Sequence, residues 1–160
     1  MEFAVDIKPL SDEFFTAYPC DKYPELMAKA GRPYTCLFID ICADYFICIP
    51  FRSNIRHKNA YLFKFSERSR KARSGLDYSK IVLIRKPQFL APGQAVVDQD
   101  EYSEAMRNIG KIIDDALKYI RLYTSHARGE HVLPPAAFAR QYAYCTLPYF
   151  HDILDIPEST

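Results

Sequence analysis

The chain has 160 residues, enough for one domain with a substantial core. Its 21 Lys and Arg against 20 Asp and Glu leave a net charge of +1, which names no partner by itself. No apolar run approaches the roughly 18 residues of a membrane span, no basic start leads into an apolar signal-peptide stretch, and five cysteines without a CxxC pair argue against a zinc site or a disulfide framework.

Residues 3–9 read as a first strand, and Ser11-Asp12-Glu13 offers cap chemistry for a short helix with Phe14, Phe15 and Tyr18. Pro19 and Pro24 bracket a short element with Tyr23, Leu26 and Met27, and Gly31-Arg32-Pro33 signals a loop. Tyr34–Ile41 and Tyr45–Phe51, rich in β-branched and aromatic residues, predict a hairpin turning at Cys42-Ala43-Asp44. Asn59–Phe65 alternates as a third strand, and Ser66–Ser74 is polar and basic enough to read as an exposed loop. Ser79–Ile84 is an apolar run typical of a buried strand, with a further strand at Gln94–Val97. A long helix is expected over Glu101–Tyr123, where Tyr102, Met106, Ile109, Ile113, Leu117, Ile120 and Tyr123 recur at helical steps. Pro135 suits the start of a last helix near Ala136–Cys145, and Pro148 ends it.

Strands early and long helices late favour an α+β fold over a parallel βαβ one. The expected architecture is one domain over 1–160. A strongly bent antiparallel sheet or small SH3-like barrel carries flanking helices, the long one near 101–123. Free thiols fit a reducing compartment, so a cytoplasmic protein is expected.

Charge is distributed unevenly. Residues 52–86 hold 11 basic and 2 acidic residues, net +9, between two flanks of net −4. A basic block of this kind is the electrostatic footprint of a polyanion binder, although charge runs are often only solvated surface. Its head is Arg52-Ser53-Asn54-Ile55-Arg56-His57-Lys58, directly after the apolar run that ends Ile49-Pro50-Phe51. Arg52, Arg56 and Lys58 can hold a phosphate, Ser53 and Asn54 can orient an oxygen, and His57 is suited to move a proton near neutral pH. Further along, Lys64, Arg68, Arg70, Lys71, Arg73 and Lys80 extend the basic surface. Tyr34, Tyr45, Phe51, Tyr61, Phe63, Phe65 and Tyr78 interleave with the basic residues; exposed members offer rings on which unpaired bases stack, and in strands most are expected to join the core.

The common nucleotide, zinc and hydrolase motifs are absent. Asp114-Asp115 reads as helix surface, and His126, His131 and His151 as loop and surface residues. A two-metal nuclease needs carboxylates beside its phosphate site, whereas the basic block contains only Glu67 and Asp77. Metal-free chemistry on RNA needs a base for the 2′-hydroxyl, an acid for the 5′-oxygen and cations for the charge on phosphorus. The alternatives are a non-catalytic RNA- or DNA-binding module in the same groove and an interaction domain built on a charged loop at 66–73.

Arg32-Pro33-Tyr34, the stretch Ile49–Lys58, and Ser74-Gly75-Leu76-Asp77-Tyr78-Ser79-Lys80 together resemble the toxins of type III toxin–antitoxin systems. The likeness is greatest to the TenpN branch of the ToxN/AbiQ superfamily, which the opening Ile7–Phe15 and Tyr18-Pro19 also resemble. The resemblance spans about residues 7–85 and fades through the helical C-terminal half. It implies a bent, barrel-like sheet related to the MazF/Kid toxins. It also implies metal-independent endoribonuclease activity that leaves a 2′,3′-cyclic phosphate and a 5′-hydroxyl, with no cofactor. The implied partners are target RNA and a repeated small antitoxin RNA, which would close with the toxin into a protein–RNA hetero-oligomer, in modules often linked to phage defence. Ser53 matches the family's Ser/Thr position after the strand, with Arg52 and Arg56 beside it. Arg32 stands where other branches place a lysine on RNA, and Lys80 matches a lysine after a Gly-Leu pair. The proton role of His57 comes from chemistry rather than from the resemblance.

Overall fold

A computed structural model describes residues 3–26, 34–93 and 95–158. Strand β1 (Ala4–Pro9) leads into helix α1 (Asp12–Ala17), whose N-cap is Ser11, its hydroxyl accepting from the Phe14 amide. Strands β2 (Thr35–Asp40) and β3 (Phe46–Arg52) form the expected antiparallel hairpin, in register from Cys36 opposite Pro50 to Asp40 opposite Phe46. The basic block follows as β4 (Ala60–Leu62), α2 (Glu67–Ala72) and β5 (Gly75–Asp77), then β6 (Val82–Ile84). The C-terminal part is helical: α3 (Gln99–Arg107), α4 (Ile109–Ala127) and α5 (Pro135–Tyr142). The protein is thus α+β, with a six-stranded antiparallel sheet in the order β1-β2-β3-β5-β4 and β6 also paired to β3.

Strand β3 is the hub. One edge carries β2, whereas the other is divided, with β6 opposite Phe46–Cys48 and β5 opposite Phe51 and Arg52. Pro50 lies where that edge changes partner. A residue without an N–H leaves no donor unpaired at such a break. Ile47, Cys48 and Ile49 are fully buried, as are Val82 and Ile84 of β6, so the centre of the sheet is covered on both faces. Strands β4 and β5 approach so closely that a Cβ at Gly75 would fall 2.3 Å from the Tyr61 carbonyl oxygen, which explains a glycine in mid-sheet.

Several expectations shift. The Ser66–Ser74 loop is in fact α2. Its helicity comes from the Ser66 cap and a Glu67–Lys71 pair rather than from an apolar stripe. The Ser79–Ile84 strand is shortened, because the Asp77 carboxylate accepts from the Ser79 amide and winds Tyr78–Lys80 into a 3-10 turn before β6. The long helix breaks at Asn108, where φ −115° and ψ 21° leave the helical region. After the break, α4 buries Ile112, Ile113, Ala116, Tyr119, Ile120 and Tyr123, while Tyr102 stays exposed. Ala95–Val97 forms no strand and Val96 is open to solvent; Gln94 lies outside the described residues.

Among the described residues no helix is long and apolar enough to cross a membrane. Cys36, Cys48 and Cys145 are buried free thiols and Cys20 and Cys42 exposed ones. Burial raises the Cys36 thiol well above its usual range, as does its contact with Cys48.

Candidate functional site

The end of β3 delivers Arg52 beside Gly75 of β5, two residues from Asp77. Asp77 is fully buried and is the centre of a polar cluster. Arg52 Nη1 donates to Asp77 Oδ2 at 2.8 Å, and the Ser79 hydroxyl donates to Oδ1 at 2.6 Å. His57 Nε2 lies 3.2 Å from Oδ1 and 3.3 Å from the Ser79 hydroxyl. Burial alone would raise the Asp77 pKa. Hydrogen bonds from His57 and Ser79, with the charge of Arg52, outweigh it and hold the carboxyl below its ordinary value.

The imidazole is committed on both sides. The Asn59 amide donates to His57 Nδ1 at 3.1 Å, so the neutral ring carries its proton on Nε2 and gives it to Asp77. Serine and carboxylate share the same ring nitrogen. This is therefore not a relay in which a carboxylate orients a histidine that activates a serine, since that arrangement uses opposite nitrogens. The Asn59 side-chain amide donates to the Gln141 carbonyl at 3.2 Å and docks the 57–59 turn on α5.

Outside the cluster the chain turns sharply. Asn54 has a left-handed backbone, φ 58°, a conformation that Asn tolerates well. Its amide donates to the Ala72 carbonyl at 2.5 Å, and the Ile55 amide donates to that of Arg73 at 3.2 Å. These bonds bring the 52–58 segment against the end of α2. Between them runs a groove of about 380 Å3 lined by Asn54, Arg56, Ser69, Arg70, Lys71 and Arg73. Arg56, Arg70, Lys71 and Arg73 are exposed along it, and Ser53, half-buried, directly precedes Asn54 of its lining. Arg52 is one-quarter exposed, and its remaining guanidinium donors have no hydrogen-bond partner among the described residues.

Two buried carboxylates from α3 hold this surface in place. Glu104 accepts from the Tyr61 hydroxyl at 2.8 Å and from the amides of Lys64 and Phe65. Glu101 accepts from the hydroxyls of Ser66 at 2.8 Å and Ser74 at 2.7 Å, with Arg68 Nε 3.8 Å away. Burial and the neighbouring Glu104 push the Tyr61 phenol up to about 12. Sequence reasoning missed Glu101, Glu104, Asp77 and Ser79. The available signal was Asp77 itself, one of only two acids in a basic block, flanked by the apolar Leu76 and Tyr78.

The expected residues divide accordingly. Arg52, Ser53, Asn54, Arg56, His57 and Lys58 share the turn after β3, and Arg70, Lys71 and Arg73 face the same groove. Lys64 and Arg68 lie at the other end of α2, exposed and away from the Asp77 cluster. Lys80 requires a correction. It is buried, with its ammonium on Glu25 at 3.0 Å and on the Tyr144 carbonyl, so it ties the C-terminal segment down rather than facing a ligand. Tyr34 is half-buried, its ring edge-on to Phe15 and its hydroxyl sealed from solvent without a hydrogen-bond partner among the described residues. Burial raises that phenol well above its usual value. Tyr78 is likewise buried. Arg32 lies outside the described residues. Two other histidines have packing roles: His126 stacks on Phe138 at 4.1 Å, and His151 meets the Tyr123 hydroxyl at 2.6 Å.

Among the described residues no three His, Cys, Asp or Glu side chains are grouped as metal ligands. The fold and site define a small α+β protein with a cation-lined groove against the end of α2 and a buried carboxylate cluster at the end of β3. Compared with protein-family models, curated proteins and solved structures, the chain matches none.

Proposed function

We propose that the protein is an endoribonuclease toxin of the type III toxin–antitoxin kind, acting in the cytoplasm without a metal ion and restrained by a repeated small RNA. The observation that carries this reading is the convergence of the 54–56 turn and the end of α2 on one groove, with Arg56, Arg70, Lys71 and Arg73 along it and Arg52 two residues before the turn in sequence. Such a surface suits a phosphodiester backbone more than a small anion, because its cations are strung along a groove rather than gathered at a point.

Arg52 and the Ser53 hydroxyl hold the scissile phosphate, and Arg56 and Lys58 hold its neighbours. The 2′-oxygen attacks phosphorus as its proton leaves, and the 5′-oxygen departs with a proton. The products are a 2′,3′-cyclic phosphate and a 5′-hydroxyl. His57 is the proton carrier. It must first release the Asn59 amide from Nδ1, at a cost of about 0.5–1.5 kcal/mol for one hydrogen bond. That is small beside the roughly 8 kcal/mol or more that enzymes remove from a barrier. The metal-free reading is supported by the occupancy of Asp77, whose oxygens are both engaged by Arg52, His57 and Ser79. A bent, MazF/Kid-like sheet belongs to the same proposal, supported by the division of one edge of β3 between β5 and β6.

The committed imidazole favours a second reading, a non-catalytic RNA-binding module in which His57 is structural. Ser53→Ala and His57→Ala separate the two. Under the enzyme reading at least one of them abolishes cleavage while RNA binding persists. If both keep full cleavage, the chemistry lies elsewhere. A parent protein that binds RNA and leaves it intact is the binding module.

A further inference from the structure

We propose that Phe65, with Lys64 beside it and Arg107 against its ring, is a stacking platform for an unpaired base of bound RNA. This deepens the RNA reading and rests on it. Phe65 is 59% exposed, in a chain whose aromatic rings mostly join the core. A phenylalanine normally buries its ring, and this one is held out by rigid anchors. Its amide donates to Glu104, and the next residue, Ser66, is fixed by Glu101 and caps α2. These bonds fix the backbone that carries the ring at the surface.

One cation lies against it. The Arg107 guanidinium carbon is 6.0 Å from the ring centroid, within cation–π range. Lys64 and Arg68, on either side of Phe65 in sequence, are exposed. An exposed ring with a guanidinium against it, in a basic segment, matches a nucleobase attached to a phosphate chain better than it matches an apolar peptide. Helix α2 leads from Phe65 to the groove, and its six residues span about 9 Å. A single strand covers that distance in a few nucleotides. Duplex RNA cannot use the platform, because its bases are already stacked. Tyr144 is also exposed, but no cation lies against its ring among the described residues.

The test measures binding of fluorescent RNA with 2′-O-methyl groups, which cannot be cleaved through the 2′-oxygen, at several salt concentrations. The parent, Phe65→Ala, Phe65→Leu and Phe65→Trp are compared on a single strand and on a duplex. Phe65→Ala and Phe65→Leu should each weaken single-strand binding by about 5- to 150-fold, leave the salt slope and the melting temperature unchanged, and leave duplex binding unchanged. Phe65→Trp should restore affinity. A Phe65→Ala or Phe65→Leu variant within about twofold of a parent that binds RNA overturns the platform alone. Equal losses on strand and duplex overturn it too, since they mark a general contact. A parent that binds no RNA overturns the RNA reading and the platform with it.

Discussion

Asp77 is the residue on which the site's geometry depends. It is fully buried, and it gathers side chains from the end of β3, the 57–59 turn and the 3-10 turn before β6. Asp77→Asn should cost about 2–4 kcal/mol at neutral pH, less than a fully buried pair because Arg52 still reaches water. The carboxyl's folded pKa lies below its ordinary value of 3.8, so its stabilising contribution is complete above about pH 4 and is lost as pH falls through the folded value. Urea midpoints followed against pH should therefore fall more steeply in acid for the parent than for Asp77→Asn, and the two curves should converge. Parallel curves would mean that Asp77 is not held in its charged form. Arg73 makes the opposite bargain. It ends α2 in the left-handed region, φ 45° and ψ 66°, where a side chain costs about 1–2 kcal/mol and glycine is preferred. Arg73→Gly should raise stability by up to about 1 kcal/mol in the same assay while weakening RNA binding. A variant that gains stability and binds as tightly as the parent would remove Arg73 from the groove's function. At this scale the sequence made the cations legible, because Arg52, Arg56 and His57 are neighbours in it. It did not reveal what organises them, because Asp77 lies some twenty residues further on and is indistinguishable from a turn former until β5 is paired.

Helix α2 shows how an element can form without apolar periodicity. It buries none of its own residues; its start is held by its cap and by Glu101 of α3, and its end by the amides of Asn54 and Ile55. Ser66 contributes twice, accepting from the Ser69 amide and donating to Glu101. Ser66→Ala should cost the cap, about 1 kcal/mol, and leave Glu101 with one fewer donor in a buried place. Hydrogen exchange should then rise over 67–73 before it rises over β2 and β3. Unchanged exchange there would show that α2 is held by something other than its cap and Glu101. The elements that carry apolar patterns, β1, the β2–β3 hairpin and α5, were readable in advance. The basic loop and the single long helix were not. In the first, a local cap outweighs composition. In the second, Tyr102, Met106 and Ile109 continue a helical rhythm across Asn108, and only the weak helix formers Asn108 and Gly110 mark the break. Glu101 and Glu104 of α3 are buried and hold the basic arm, which an acidic helix start by itself does not announce.

In the whole molecule, the acidic flanks and the basic block become one device. Acids of α3 and Asp77 are buried as fasteners of the segments on either side of α2, and the cations of the 54–56 turn and of α2 are left exposed along the groove. A net charge of +1 conceals this, because part of the negative charge lies inside. The proposal that this surface cleaves RNA is tested most directly by incubating the purified protein with single-stranded RNA in EDTA and mapping the ends. The account predicts new 5′-hydroxyl ends paired with 2′,3′-cyclic phosphates, lost in Ser53→Ala or His57→Ala. Intact RNA with binding retained, or cleavage only after Mg2+ is added, would contradict it.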